Sequence, residues 1–329
     1  MRTNIRVRDL IYPYFVMRGH NKKERIKLFP GVFRFSIDRL ISDIAGIRKL
    51  GIDKVLLFGV AEEKDDSGIT AYTPNTIVAQ AIRVIKKEFP DTTVISDVCL
   101  CSYTRYGHCG IIKRSPQSIV HSRLKKEKQF GFFIDQAKTL EVLSKIALCH
   151  AEAGADWVAP SACARGQVGA IRRAFDANGY KETKILGYSA KFASSFYGPF
   201  RNAASSAPGF GDRQSYQLSF ADSEYAIKRI VSDVEEGADM VMVKPALGYL
   251  DIIKEASLRL KKPLAAYNVS GEYAMVKAYV QRIADSVERR EAEKKIVLEI
   301  LTGIKRAGAD LIITYHAKDV ARWLMVYSL

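Results

Sequence analysis

Short apolar runs rich in β-branched and aromatic residues alternate along the whole chain with longer stretches whose apolar residues recur at three and four spacing. Eight runs read as strands: 10–16, 54–60, 93–99, 156–160, 185–189, 240–243, 264–269 and 311–315. Helical patterns lie between them, among them 37–50, 75–89, 137–153, 221–236 and 291–307. Four helices end in one device, a glycine just ahead of the next strand with an aspartate two residues on: Gly51-Ile-Asp53, Gly154-Ala-Asp156, Gly237-Ala-Asp239 and Gly308-Ala-Asp310. Glycine takes the left-handed conformation that closes a helix C-terminus without a Cβ clash. Eight strand–helix units predict an α/β fold, a single (β/α)8 barrel over residues 1–329 with a short N-terminal extension. A doubly wound sheet is the alternative, but no GxGxxG follows the first strand.

In such a barrel, chemistry collects at the C-terminal ends of the strands. Asp97 and Cys99 end the third run, Ser161 follows the fourth, Lys191 the fifth, Lys244 the sixth and Ser270 the seventh, while Tyr315 ends the eighth. A single rim lysine is ordinarily just solvated. Two on adjacent strand ends disfavour each other's charge, and apolar surroundings add to that, so both amines are expected to titrate low. A neutral amine attacks a ketone or aldehyde to form an imine, which makes Lys191 and Lys244 candidates for covalent catalysis. The stretch 192–219, rich in small residues, reads as an active-site lid. Arg201 and Arg213 within it either offer planar forks to a substrate carboxylate or form surface ion pairs.

Three of the five cysteines fall in Asp97-Val-Cys99-Leu-Cys101-Ser-Tyr-Thr-Arg-Tyr-Gly-His108-Cys109. Three thiolates at a strand end can hold a metal and leave one position open for water or substrate. They can equally be reduced cysteines lining the strand end. An odd number of cysteines in a large chain is no disulfide framework, which points to a reducing, cytoplasmic compartment. Hydrophobic content of 48% with 26% charged residues is that of a globular protein. No apolar run is long enough to span a bilayer, and residues 1–8 lack a signal peptide's apolar segment, so no membrane partner is expected. The formal charge is +15, from 51 basic and 36 acidic residues. It is densest within 111–136, at Lys113, Arg114, Arg123, Lys125, Lys126 and Lys128, which reads as a basic insertion or lid. No binding motif or aromatic platform accompanies it, so nucleic acid is not an expected partner.

The cysteine segment Asp97–Gly110, Tyr188-Ser-Ala-Lys-Phe-Ala193, Phe196-Tyr-Gly-Pro-Phe-Arg201, Met242-Val-Lys-Pro-Ala246, Tyr267-Asn-Val-Ser-Gly-Glu-Tyr273 and Thr314-Tyr315 run in order along the chain. Together they closely resemble the porphobilinogen synthase (5-aminolevulinate dehydratase) family. The resemblance implies a (β/α)8-barrel lyase that condenses two molecules of 5-aminolevulinate into porphobilinogen on the way to haem and other tetrapyrroles. It implies that Lys244 and Lys191 form the substrate imines. Ser270 and Tyr315 would bind the carboxylate on the propionate side, and Arg201, Arg213 and Gln217 that on the acetate side. Tyr197 and Phe200 would join the substrate-binding residues. Cys99, Cys101 and Cys109 match the zinc-dependent branch, which implies one catalytic Zn2+ per subunit, with Asp97, His108 and Ser161 in support.

The chain departs from the family's pattern in three places. Where the family reads Ser-Asp-Met-Met-Asp-Gly-Arg-Val, this chain has Ser161-Ala-Cys-Ala-Arg-Gly-Gln-Val168. Ala162 and Arg165 thus stand in place of carboxylates, and Cys163 is a replacement contact or a small apolar filler. That leaves open a diverged imine-forming paralogue acting on another amino ketone, or a non-catalytic barrel used for binding or assembly. Arg229 stands where magnesium-stimulated members carry glutamate, so no allosteric Mg2+ is expected. Only nine residues precede Leu10, against a longer arm in the family, so the expected homo-oligomer is a dimer or a weakened larger assembly.

Overall fold

The computed structural model describes residues 3–114 and 132–326. Its eight barrel strands are Leu10–Val16, Lys54–Gly59, Thr93–Val98, Trp157–Pro160, Lys184–Lys191, Met240–Lys244, Leu264–Asn268 and Leu311–Thr314. Each pairs in parallel with the next, and the first closes on the last through Leu10↔Ile312 and Ile11↔Ile313. The outer layer is built from helices Ile37–Arg48, Ile77–Glu88, Gln136–Glu152, Gln167–Ala177, Ser223–Glu235, Leu250–Arg259, Ser286–Ala307 and Ala317–Val326. All eight predicted strands are present. Lys191 and Lys244, placed by sequence just beyond their strands, are instead the last paired residues of them.

Additions to the barrel cluster on its C-terminal side. Strands Lys23–Arg25 and Phe33–Phe35 form a small antiparallel ribbon on the edge of the first strand. The segment after Lys191 forms a 3-10 turn, Ser195–Tyr197, and the short helix Gly198–Ala203. Helix Ser270–Val280 starts directly after the seventh strand. The flanks of the basic insertion, Ile112–Arg114 and Phe132–Ile134, pair as an antiparallel hairpin. Arg123, Lys125, Lys126 and Lys128 lie outside the described residues.

Alternation along each strand divides the core in two. Ile11 and Phe15 of the first strand, Met240 and Met242 of the sixth, and Ala265 and Tyr267 of the seventh fill the barrel interior. Leu10, Tyr12, Val241, Val243, Leu264 and Ala266 point instead to the helices. The fifth strand breaks this phase. Leu186 pairs with Met240 and Gly187 with Val241, but Ala190 then pairs with Val243 and Lys191 with Lys244. One extra residue on the fifth strand is a β-bulge, and it inverts the facing of the strand's last residues. Ala190 turns out to the helices and Lys191 turns in, level with Lys244. Gly187 suits the bend: an added Cβ there would lie 2.8 Å from Ser189 Oγ and 3.0 Å from an Asp233 carboxylate oxygen.

The Gly-x-Asp device also has its explanation. Gly51, Gly154, Gly237 and Gly308 all have positive φ, at 78°, 97°, 103° and 126°. In three of the four, the aspartate reaches sideways to the strand before it. Asp156 accepts the Val94 N–H at 2.7 Å, Asp239 that of Ile185 at 2.8 Å and Asp310 that of Leu264 at 2.9 Å. Each of these carboxylates satisfies a strand-end donor and sets the register between neighbours. Asp239→Ala is expected to lower stability by about 1–2 kcal/mol. In urea this appears as a lower midpoint with an unchanged slope.

Candidate active site

The two lysine amines sit inside the mouth of the barrel, both nearly fully buried. Lys244 Nζ lies 4.1 Å from the centre of the Tyr267 ring, 4.9 Å from Phe200, 5.0 Å from Tyr188 and 5.4 Å from Tyr197. Burial in this aromatic box, and then the charge on Lys191, lower its pKa to about 7. Lys191 behaves differently. Its Nζ donates to the Ser161 carbonyl at 2.5 Å. Burial disfavours its charge, but the negative charge that Cys163, Cys109 and Cys99 carry as thiolates favours it and holds it above its ordinary value. The expectation that both amines titrate low therefore holds for Lys244 and fails for Lys191, because sequence spacing does not reveal the sulfur atoms around the latter. Asp97 lies in the field of both. Burial pushes its carboxyl up to about 6, against the Ser161 hydrogen bond and the two ammonium charges.

Around Lys244 the predicted side chains form two groups. Tyr315 shares a hydrogen bond with Tyr267 at 3.0 Å between hydroxyls. Ser270 opens its helix, donating to the Phe196 carbonyl and accepting from the Phe200 N–H, both at 3.1 Å. The 192–219 segment docks there so closely that a Cβ on Gly271 would lie 2.6 Å from the Phe196 backbone. Tyr197 spends its hydroxyl on the carbonyls of Phe192 and Lys244, at 2.9 and 3.0 Å, so it presents its ring and not a polar group. Phe200 packs on Phe15 and Phe58 and completes the wall.

On the Lys191 side stand Arg201, Arg213 and Gln217. They line a cavity of about 300 Å3 together with Asp212 and Ser219. Arg213 donates to the carbonyls of Gly107, at 2.8 Å, and Ser206. Its Nε, the Nε of Arg201 and both amide atoms of Gln217 are buried without a partner among the described residues. Buried donors left open in this way, beside two guanidinium charges, have the chemistry to receive an anion. Gln217 also lines a second cavity of about 300 Å3 that reaches Lys191, Cys109, Cys163, Arg165 and Arg229. Arg165 is exposed over the Tyr225 ring, and Arg229 pairs with the buried Asp233 at 3.7 Å. Cys163 is half-buried on this cavity with φ 65°, so it is not a core filler.

Cys99, Cys101 and Cys109 are buried, with their sulfur atoms within 4.8 Å of one another. Cys99 and Cys101 are 3.5 Å apart. Hydrogen bonds from Cys101 and Cys99, then the charges of Arg213 and Lys191, hold the Cys109 thiol well below its ordinary pKa. Zn–S bonds of about 2.3 Å in tetrahedral geometry put sulfur atoms about 3.8 Å apart, so these donors fit a soft or borderline metal. His108 is not a fourth donor. Its Nδ1 meets the Tyr216 hydroxyl and its Nε2 the Phe210 carbonyl, both at 3.1 Å, so it ties the cysteine loop to the 192–219 segment.

One further residue escaped sequence reasoning. Glu272 is buried and accepts from Leu247 N–H at 2.7 Å, Val269 N–H at 2.8 Å and the Asn268 amide at 2.9 Å. Burial pushes its carboxyl up to about 7. It joins the loop after Lys244 to the start of the Ser270 helix, and so fixes both sides of the aromatic box. Its signal was present: an acidic residue at the third position of a helix that begins at a strand end.

Comparison with known proteins agrees with this geometry. A family model described as delta-aminolevulinic acid dehydratase matches residues 1–323. The delta-aminolevulinic acid dehydratase of Bacillus subtilis (strain 168) is 46% identical over 322 residues, 98% of this chain and 92% of that one. That of Methanothermus sociabilis is 46% identical over 312 residues, 95% and 90% of the two chains. The crystal structure of delta-aminolevulinic acid dehydratase (porphobilinogen synthase) from Toxoplasma gondii ME49, in complex with the reaction product porphobilinogen, superposes with a TM-score of 0.88. It is 38% identical, with 99% of this chain and 87% of that one covered. With its family model matched nearly end to end, this chain belongs to the delta-aminolevulinic acid dehydratase family.

Proposed function

We propose that the chain is a porphobilinogen synthase that condenses two molecules of 5-aminolevulinate into porphobilinogen through imines on Lys244 and Lys191. The observation that carries this reading is the pairing of the two amines across adjacent strands, with one of them titrating near neutrality. The neutral Lys244 amine adds to the ketone carbon of one substrate, and water leaves to give an iminium. The surrounding aromatic faces stabilise that cation and exclude solvent. The iminium acidifies the adjacent carbon, and Asp97, with a carboxyl near about 6, takes and returns protons in the field of both lysines. Lys191 gives a proton to the Asp97 carboxylate, and its nitrogen, positioned by the Ser161 carbonyl, then adds to the ketone of the second substrate, from which water leaves.

Ser270, once its hydroxyl turns from the Phe196 carbonyl, and Tyr315 receive the carboxylate on the Lys244 side. Arg201, Arg213 and Gln217 receive the other. Burial and the neighbouring Arg213 charge depress Arg201, so an anion between the two guanidinium groups removes a standing repulsion. A zinc ion held by Cys99, Cys101 and Cys109 supplies, when bound, a Lewis acid with an open coordination position. A second reading, an imine-forming enzyme for a different amino ketone, is favoured by one observation. The cavity beside Lys191 is lined by Arg165 and Arg229 and, among the described residues, by no carboxylate.

Borohydride reduction in the presence of 5-aminolevulinate is expected to leave an adduct on Lys244, and Lys244→Met to lose adduct and product together. An adduct without pyrrole from zinc-saturated protein moves the assignment to the second reading. No adduct from folded, zinc-loaded protein defeats both. Metal chelation is expected to stop porphobilinogen formation while the Lys244 adduct still forms, which mass spectrometry of the reduced peptide separates. Adduct formation should also depend on pH. Because the attacking form is the neutral amine, its rate is expected to rise through about pH 7 and level off above it. A rate flat across the range on either side of that value, read by quenched-flow trapping, contradicts the depressed amine.

A further inference from the structure

On the outer side of the barrel mouth, His316 follows the eighth strand and is only 2% exposed. Its ring packs against Tyr273 with centres 4.4 Å apart. Neither ring nitrogen has a hydrogen-bond partner among the described residues. A buried imidazole with both nitrogens unanswered is costly and calls for a ligand. Two carboxylates face it: one from Glu293 on the Ser286–Ala307 helix, one from Asp319 on the Ala317–Val326 helix. One ligand atom from each of the three lies within 4.8 Å of the others. Ligands around a shared ion at about 2.1 Å stand roughly 3.4 Å apart, so a small inward closure completes the cage.

The carboxylates are now answered by Lys277, whose ammonium pairs with Glu293 and lies 3.4 Å from Asp319. Arg322 holds the other oxygen of Asp319 at 3.1 Å. Lys277 could donate to the ring's acceptor nitrogen, but the imidazole has no hydrogen bond to it, and an ammonium has no acceptor for the ring N–H. Its side chain is 18% exposed and those of Glu293 and Asp319 are 15% and 31% exposed. The cluster is therefore within reach of solvent.

We infer that Glu293, His316 and Asp319 form a second divalent-metal site, separate from the cysteine cluster. It takes a borderline ion such as zinc or cobalt(II), and Lys277 swings toward solvent when the ion binds. One imidazole and two carboxylates suit such ions, whereas magnesium or calcium leaves the nitrogen unused. Competition with Lys277 makes this the weaker of the two sites. The ion pins two outer helices to the end of the eighth strand, one residue from Tyr315.

The test is a cobalt(II) titration of the full chain loaded with a single equivalent of zinc, which the tighter cysteine site takes, followed by visible absorption. The expected result is an equivalent with d–d bands and no sulfur-to-cobalt charge transfer. His316→Phe fills the same space against Tyr273 and is expected to weaken that equivalent at least about tenfold. The zinc content at the cysteines and the borohydride adduct on Lys244 should stay unchanged. Lys277→Met removes the competing ammonium and is expected to tighten cobalt binding, which keeps the test decisive if the His316 variant fails to fold. A cobalt spectrum made of sulfur charge-transfer bands alone overturns the inference. So does a sulfur-free band that survives His316→Phe, or one that Lys277→Met leaves no tighter.

Discussion

The bulge in the fifth strand is the constraint on which the site depends. Strand geometry alternates side chains with a period of two, so an unbroken fifth strand in register with the sixth would turn Lys191 toward the helices. The extra residue between Gly187 and Ala190 reverses that phase and brings Lys191 opposite Lys244. Two amines on the same interior layer of a narrow barrel is an arrangement that repulsion opposes. It persists because it is fixed by backbone pairing on both sides, from Trp157↔Lys184 through to Asn268↔Thr314, and not by any affinity between the amines. The energy of the sheet is thus what holds the reactive groups together.

Given that placement, environment separates the two lysines. Lys244 faces rings and its neighbour's charge, and loses its proton near neutrality. Lys191 faces a carbonyl and sulfur, and keeps its proton. Two identical side chains in one mouth therefore differ in how readily each becomes the neutral nucleophile, Lys244 directly and Lys191 only after giving up a proton. The replacement of carboxylates at Ala162 and Arg165 bears on the same balance. Among the described residues the negative counterpart to Lys191 comes from Asp97 and the low-titrating Cys109, not from acids of the fourth strand's loop.

What the sequence disclosed was whatever is local. Apolar runs marked all eight strands, and the Gly-x-Asp repeats marked helix ends whose positive φ and side-chain acceptors are short-range matters. Residue types at strand ends located the lysines, the cysteines and Ser270. What stayed hidden is set by pairing between distant segments. The bulge is a property of register between two strands, so no pattern within 184–191 announces it. His108 stands beside Cys109 in sequence and reads as metal support, yet its nitrogens are taken by Tyr216 and Phe210, distant in the chain. The elevated Lys191 pKa depends on Cys163, which arrives on a different strand's loop.

The 192–219 segment shows how closely binding and order are joined. Its anchors are Arg213 on the Gly107 carbonyl, Tyr216 against His108, and the Phe196–Phe200 turn on Ser270. Arg34 adds a clasp from the opposite rim, donating to the Ala203 carbonyl at 2.7 Å. Arg213 and Ser270 are also the proposed carboxylate receptors, one on each side of the mouth. The proposed receptor groups are thus also anchors of the segment beside the amines, so the segment's order and the receptor's placement go together. Exclusion of water from Lys244 and recognition of two carboxylates are, in this arrangement, a single structural event.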